Sequence, residues 1–357
     1  MKKIITTTGF GHSGSGTLID FFSEFDNSTV LGYHDVDGSK FKASEVSEAM
    51  EVDFIRRANG VFDLERICSI REVSCRDVAV KSFITLMEYF YSSKSPFYDD
   101  EFLKITEEFI EELVEFKITS RAGFVGHWHL EFEDESETYP SNLHQPFIHY
   151  VKHDRKLYNR YFLKDLTVQE YRNLAKKYIH KALSRINSKE FLVLDNFIAD
   201  SCNDFDKKKD YLGEFKNICV YRDPRDVYAT GDLFQVAWIP RNPEVFVKWY
   251  NYYVPSFVAV DHPNNLTIRF EDFINSYDAT KDKIVDFVAI SKENHIRERQ
   301  YFDPDFSRKN VGIYKQLPNQ EGIKYIEDKL SEYCYQGEYD EKNIHRDECR
   351  FTSSGAS

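Results

Sequence analysis

The chain has 357 residues, of which 30% are charged and 41% hydrophobic, a balance typical of a globular rather than a disordered protein. Its formal net charge of −13 excludes a generic nucleic-acid or anionic-membrane surface, although a few local cations can still bind an anion. The six cysteines form no C-x-x-C pair, and no run approaches the roughly 18 apolar residues of a membrane span. We therefore expect a cytoplasmic protein with reduced thiols, no signal peptide and no membrane span.

Short apolar runs rich in β-branched residues predict strands, in chain order, at residues 3–8, 29–33, 78–81, 191–195, 217–221 and 266–269. Between them, apolar residues at helical spacing predict helices within residues 102–116 and 171–186, and a last one within 323–333. This alternation predicts an α/β fold with a doubly wound, mostly parallel sheet. Ligands of such sheets bind beyond the carboxyl ends of the strands.

We expect one α/β domain over residues 1–335, with a helical, aromatic-rich insertion at about 88–189 and an acidic, weakly structured tail over 336–357. The charged stretch at 204–210 predicts a solvated turn. The aromatic residues of the insertion either form the core of a cap or stack on a flat acceptor; they include Trp128, Tyr139, Phe147, Tyr150, Tyr158 and Tyr161.

A glycine-rich loop, GFGHSGSGT at residues 9–17, lies between the first predicted strand and a predicted helix that includes residues 18–22. A loop in this position directs main-chain N–H groups and the positive end of a helix at an anion. The spacing of Gly11, Gly16 and Thr17 matches the P-loop pattern except that its lysine is missing. The sequence thus predicts a P-loop-like strand, loop and helix; the alternative is a tight turn without a ligand.

A second motif follows the strand predicted at 217–221. Arg222 stands at its carboxyl end, Asp226 can open the next helix, and Thr230 lies two helical turns into it. Arg222 and Thr230 can therefore converge on one oxyanion, for which a guanidinium is suited. The alternative is a surface turn with a local Arg–Asp pair.

A third motif combines Arg308, Lys309 and Gly312 in a polar segment between two prolines. It predicts a flexible basic clamp over a phosphate or, alternatively, a solvated basic loop.

Together, these motifs resemble those of the sulfotransferases that use 3′-phosphoadenosine-5′-phosphosulfate (PAPS). The resemblance runs from residue 4 to about residue 335, but only the motif segments match well. It implies a 5′-phosphosulfate loop of His12, Ser13, Gly14, Ser15, Gly16 and Thr17, and a 3′-phosphate site of Arg222, Thr230, Arg308, Lys309 and Gly312. It also implies that Phe270, which opens a Phe-Glu-Asp strand end, lies near the adenine.

The chain departs from the family's pattern at three places. His12 replaces the loop lysine; it can donate to the sulfuryl oxygens, best when charged. Asn310 replaces a glycine and tolerates left-handed backbone. The family's lysine and catalytic histidine on the third strand fall at Lys81 and Phe83, so the lysine is kept and the histidine is lost.

The resemblance implies transfer of a sulfuryl group from PAPS to a hydroxyl or amine, with a carbohydrate as the expected acceptor and PAP as the product. The N–H groups of residues 13–17, His12 and Lys81 would neutralise oxygens on the moving group. Candidates for the general base are Glu51, Asp53, His127 and His129. His127 and His129 lack a suitably spaced third ligand, so we expect no metal.

Two other functions stay open. A P-loop kinase or nucleotide hydrolase is suggested by the predicted strand at 191–195, which ends in Asp195 like a magnesium-binding strand, but such an enzyme needs the missing lysine. A non-catalytic nucleotide-binding module is suggested by Phe83 in place of the histidine.

Overall fold

A computed structural model describes residues 3–10, 12–31, 35–36, 39–40, 52–93, 95–120, 158–186, 189–198, 205–258 and 260–337. Its residue contacts divide the chain into two compact units, one of Met1–Arg56 with Leu183–Ser357 and one of Arg57–Ala182. The domain bounds expected from the sequence stay a prediction. Among the described residues, we find no helix that combines the length and the apolar character of a membrane span.

The strands of the described residues are β1 (Lys3–Gly9), β2 (Ser28–Val30), β3 (Asp35–Val36), β4 (Ser39–Lys40), β5 (Val114–Ser120), β6 (Tyr158–Leu163), β7 (Phe191–Leu194), β8 (Phe215–Tyr221) and β9 (Asn265–Arg269). The helices are α1 (Gly16–Ser23), α2 (Asp53–Arg56), α3 (Val61–Leu64), α4 (Val73–Ser92), α5 (Asp100–Leu113), α6 (Val168–Ser184), α7 (Phe205–Leu212), α8 (Pro224–Leu233), α9 (Pro243–Tyr253), α10 (Pro255–Val258), α11 (Phe270–Asn275), α12 (Tyr277–Val288), α13 (Pro304–Ser307) and α14 (Gln320–Lys329). Short 3₁₀ turns lie at Glu65–Cys68, Lys292–Asn294, Arg308–Asn310 and Ile313–Gln316.

The first unit has an α/β fold around a five-stranded sheet in the order β2-β7-β1-β8-β9. The four pairings within it are parallel, so the carboxyl ends of these strands share one edge. The predicted mostly parallel sheet is therefore confirmed, and its helices are compatible with a doubly wound fold. Strand residues such as Ile5, Val193 and Ile218 are fully buried in one core with α1, α11 and α12, which explains the near-continuous apolar strand runs.

A polar ladder crosses the middle of this sheet. The hydroxyls of Thr6 and Thr8 donate to the side-chain oxygen of Asn217 at 2.7 and 2.9 Å, and the amide of Asn217 donates to Asn265 at 2.7 Å. Both threonines and Asn217 are fully buried. The ladder therefore satisfies polar groups on β1, β8 and β9 that would otherwise be left unpaired inside the core.

The second unit contains helices α3–α6 and the antiparallel hairpin of β5 and β6. Its core is aromatic: the rings of Phe109 and Tyr178 stack at 4.5 Å, and Phe83 meets both edge-on. The Tyr178 hydroxyl pairs with Thr106 of α5 at 2.8 Å, which ties α6 to α5.

Two predicted elements are wrong. The strand predicted at 78–81 lies inside α4, because its buried residues continue at helical spacing through Val80, Phe83 and Met87. The solvated turn predicted at 204–210 is helix α7, which is anchored by the buried side chains of Phe205, Tyr211 and Leu212. In both cases the helix extends beyond the short segment used for the prediction, and buried side chains beyond that segment help to stabilise it.

Replacing Asn217 with alanine should lower the free energy of unfolding by about 2–4 kcal/mol, because it strands two buried hydroxyls. Chemical denaturation of the variant measures this loss. The triple variant with Thr6→Val and Thr8→Val removes the stranded groups and should recover part of it. A loss below about 0.5 kcal/mol for Asn217→Ala would mean that the ladder does not stabilise the sheet.

Candidate functional site

The glycine-rich loop contains two residues with left-handed backbone. His12 and Gly14 both adopt positive φ, at 55° and 88°. A Cβ on Gly14 would lie 2.3 Å from the ring of Phe270, so the close approach of that ring excludes any larger residue. Phe270 is 3% exposed and supports the loop from beneath. In this structure its ring packs against the loop, whereas the resemblance placed it near an adenine.

The loop and the start of α1 carry donors that the protein does not use. Within the described chain, the main-chain N–H groups of Ser13, Gly14, Ser15 and Gly16 have no acceptor. Helix α1 has neither a side-chain cap nor an acidic residue in its first turn. The hydroxyl of Ser13 is buried and also has no partner among the described residues. Unpaired amides at a helix start, together with a buried hydroxyl, are suited to hold an anion.

Thr17 closes the turn itself. Its hydroxyl donates to the carbonyl of Gly14 at 2.6 Å, and its main-chain N–H donates to the same oxygen at 3.0 Å. The hydroxyl proton is therefore engaged within the loop, and only its lone pairs remain for another group.

Arg222 joins the three motifs that the sequence singles out. Its Nη1 donates to the carbonyl of His12 and to the hydroxyl of Thr230, both at 3.2 Å, and its Nη2 donates to the carbonyl of Asn310. The guanidinium lies 5.3 Å from the centre of the Phe270 ring. The side chain is 3% exposed, and its Nε has no hydrogen-bond partner among the described residues. The predicted convergence of Arg222 and Thr230 is thus present in the structure.

Asp226 fixes the third motif against α8. Its carboxylate accepts the N–H groups of Gly312 and Tyr314 at 2.7 and 3.1 Å. Gly312 has φ of 79°, while Asn310 lies in a 3₁₀ turn and is not among the residues with positive φ. The left-handed residue of this segment is therefore Gly312, and the tolerance of asparagine for that backbone is not used at residue 310.

The two cations of that motif bind elsewhere in the same unit. Arg308 donates to the side chain of Asn275 at 2.8 Å and pairs with Asp305 at 3.2 Å. Lys309 lies over the exposed ring of Phe306, with 3.7 Å from its Nζ to the ring centre. The structure thus brings the main chain of this segment to Arg222, but it shows neither cationic side chain beside the guanidinium.

Buried acids surround the guanidinium. Burial raises the pKa of Asp226 to about 6, with Arg222 acting in the opposite direction and Asp223 adding to the rise. Burial, with added repulsion from Asp226, raises the pKa of Glu271 to about 8. Glu271 accepts the N–H of Asp223 at 3.0 Å through one oxygen, while its other oxygen has no partner among the described residues. At neutral pH Glu271 therefore holds a proton.

His12 presents a neutral ring at the surface of the loop. Desolvation, followed by the charge of Arg222, lowers its pKa below the ordinary value of 6.5. The ring stacks on Trp238, with centres 5.3 Å apart and planes at 18°. A neutral imidazole can accept a proton or donate one hydrogen bond, but it supplies no positive charge.

Two of the remaining candidate residues, Lys81 and Asp53, form ion pairs with neighbours on their own helices. Lys81 lies in α4 of the second unit, where it pairs with Asp77 at 2.8 Å, so its match to a third-strand lysine has lost its basis. Asp53 is fully buried and pairs with Arg56 at 2.7 Å. Glu51, His127 and His129 lie outside the described residues. Among the described residues, we find no cluster of three side chains suited to hold a metal ion.

Several residues of this region were not predicted from the sequence. Tyr250 donates its hydroxyl to the carbonyl of Arg222 at 2.9 Å, and Arg225 pairs with Asp223 at 2.6 Å and Glu327 at 2.8 Å. Only the pair of Arg225 and Asp223 could be inferred from the local sequence, because these residues are two positions apart. No protein-family model matches the chain, and a search of curated protein sequences finds no match.

Replacing Gly14 with alanine should destabilise the protein by about 2–4 kcal/mol, because the variant combines positive φ with a clash against Phe270. Thermal or denaturant unfolding measures the loss. Gly16→Ala is the matched control, since nothing lies within 4 Å of a Cβ built there. Equal stability of the two variants would contradict the close packing of Phe270 on the loop.

Replacing Glu271 with glutamine should stabilise the protein increasingly as the pH rises. The folded-state pKa of Glu271, about 8, lies above its ordinary value of 4.5, so the wild type loses stability between these pH values because the carboxyl ionises in the unfolded chain while it stays protonated in the folded one. Glutamine stays neutral and can still accept the N–H of Asp223. The difference in melting temperature between the variant and the wild type should therefore grow from pH 5 to pH 8.

Glu332→Gln, at an exposed position, is the control and should show a flat difference over the same range. A flat difference for Glu271→Gln as well would show that Glu271 keeps an ordinary pKa.

Proposed function

We propose that this protein is a sulfotransferase that moves a sulfuryl group from PAPS to a hydroxyl of an acceptor. In this proposal a P-loop-like turn at residues 12–17, on a doubly wound α/β fold, binds the 5′-phosphosulfate. Arg222 and Thr230 bind the 3′-phosphate. The observation that carries the proposal is the contact of Arg222 with His12, 210 residues away, and with Asn310, 88 residues away. The loop that we assign to the 5′ end of the nucleotide and the segments that we assign to its 3′ end thus meet at the guanidinium of Arg222.

Binding would exchange the partners of Arg222. Two of its contacts go to the uncharged carbonyls of His12 and Asn310, and its Nε has none among the described residues. A phosphate oxygen is a stronger acceptor than a carbonyl, because the hydrogen bond is then charge-assisted on both sides. Since the side chain is 3% exposed, the loop at residue 12 or the turn at 310 has to move to admit the phosphate.

The reaction divides between the loop and His12. The acceptor oxygen attacks sulfur, the bond between sulfur and the 5′-phosphate oxygen breaks, and PAP leaves with that electron pair. The amides of residues 13–16 would stabilise the oxygens of the moving group. The acceptor proton needs a base, and His12 has the exposed, neutral imidazole for it. This assignment replaces the charged donor that the sequence suggests at this position.

A kinase or nucleotide hydrolase remains the second candidate because of Asp195. It follows β7 directly, is half-buried, and accepts the hydroxyl of Thr7 at 2.6 Å. Asn196 beside it accepts the N–H of Gly9 at 3.2 Å, so the pair contacts the strand that leads into the loop. Against this function, the loop carries His12 and no lysine.

Thermal shift with PAP, and with ATP plus magnesium, separates the two functions. We expect PAP to raise the melting temperature without metal, and ATP with magnesium to have little effect. Transfer from labelled PAPS to an acceptor panel then tests turnover. A shift with ATP and magnesium alone would favour the second candidate, and a shift with neither would contradict both.

Replacing Arg222 with alanine should weaken PAP binding by about 2–3 kcal/mol, or roughly 30- to 150-fold, because charge-assisted hydrogen bonds are lost. Titration calorimetry measures the affinity, and circular dichroism confirms that the variant folds. Arg222→Lys keeps the charge but loses the fork, and it should bind with intermediate affinity. Arg241→Ala, at an exposed position, is the control. Wild-type affinity for Arg222→Ala would refute the assignment.

A further inference from the structure

An aromatic surface continues outward from the loop. We call it the aromatic wall; it consists of Phe10, Trp238, Trp249, Tyr252 and Tyr253. Phe10 lies 4.5 Å from Trp249 and 4.6 Å from Tyr253 between ring centres, and Trp249 lies 6.1 Å from Trp238. Tyr252 meets Tyr253 at 4.9 Å. The rings come from the end of β1, the turn after α8 and the last part of α9, all in the first unit.

Two rings of the wall are exposed, and the other three are half-buried, with Phe10 and Trp249 packed against a buried cluster of the same unit. Tyr252 is 77% exposed and Trp238 is 52% exposed. Single exposed apolar residues are common, but a contiguous exposed aromatic group marks a binding surface more often than a structural one. No described residue of the unit covers the outer faces of these two rings.

The wall is continuous with the candidate anion site. Trp238 stacks on His12, whose carbonyl accepts a hydrogen bond from Arg222. Phe10 also lines a small cavity with Ser13, Arg222 and Tyr250. A molecule lying on the wall would therefore reach the loop beside the His12 ring, where an acceptor hydroxyl has to be.

The geometry of the wall favours a saccharide over a flat aromatic acceptor. The planes of Trp238 and Trp249 are tilted by 48° and those of Tyr252 and Tyr253 by 80°. Phe10 and Tyr253 are nearly parallel, at 18°, but their centres are only 4.6 Å apart, so these rings stack on each other and leave no slot for a flat molecule. The surface instead presents the outer faces of its rings to a ligand. The electron-rich face of an aromatic ring attracts the C–H groups of a sugar ring. The net charge of −13 disfavours an acidic glycan.

We infer that the aromatic wall is the acceptor subsite and that it binds a neutral oligosaccharide, with one sugar hydroxyl held beside His12. This inference rests on the proposed sulfotransferase function, of which it names the acceptor class and the surface that selects it. Trp238 is then a positioning residue, since it contacts both the acceptor and the ring of His12.

The test measures binding and turnover separately. Saturation-transfer NMR and calorimetry with cellohexaose, maltohexaose and chitohexaose report saccharide binding, with p-nitrophenol as the flat aromatic probe. Trp238→Ala should weaken saccharide binding at least 10-fold and raise the KM for the saccharide by a similar factor, with PAP affinity unchanged. Trp238→Phe keeps a ring face and should recover most of the loss. Ile296→Ala, which removes an exposed apolar side chain outside the wall, should match the wild type.

The outcomes separate the two proposals. PAP binding without binding of any of the three saccharides would overturn the acceptor subsite and leave the sulfotransferase proposal standing. Tight p-nitrophenol binding that depends on Trp238 would also overturn it. Saccharide binding that Trp238→Ala abolishes, without any PAP binding, would show that the wall binds saccharides but would overturn its role as an acceptor subsite together with the sulfotransferase. Equal saccharide affinity for Trp238→Ala and the wild type would show that the saccharide does not use the wall.

Discussion

The buried guanidinium of Arg222 is the interaction on which the candidate site depends. It connects the loop after β1, helix α8 and the turn at Arg308–Asn310 through His12, Thr230 and Asn310. A buried charge is tolerated only when hydrogen bonds compensate for its lost hydration, and here neutral oxygens supply them. The arrangement therefore fixes the loop while keeping a cation that can exchange a carbonyl for a stronger anionic acceptor.

The acids around Arg222 follow from the same constraint. Asp226 accepts two N–H groups of the chain that returns at Gly312, and Glu271 accepts the N–H of Asp223. These carboxyls hold the main chain through hydrogen bonds. Together, however, they would place more negative charge near Arg222 than its single positive charge can neutralise. Burial is the main cause of the raised pKa values of Asp226 and Glu271, and repulsion between the neighbouring acids adds to the rise.

Sequence reasoning recovered what is encoded locally. The strand, loop and helix at residues 3–23 and the contact between Arg222 and Thr230, eight residues apart, follow from short-range rules, and the structure has both. The strand expected at 78–81 failed because a β-branched run fits a buried helix face as well as a strand. The aromatic wall could not be predicted, because Phe10 meets Trp249 only through the order of the strands and the path of the chain after α8. Contacts of that kind carry no periodic signal in the sequence.

His12 links the loop to the wall through two independent contacts. Its carbonyl is held by Arg222 on one side, and its ring stacks on Trp238 on the other. The residue has a positive φ of 55° and lies exposed, while its carbonyl is in contact with a buried guanidinium. A lysine at this position would bring a charge but no flat ring to stack on the indole. One residue, His12, therefore combines a main-chain contact to the buried guanidinium with a ring contact to the aromatic wall.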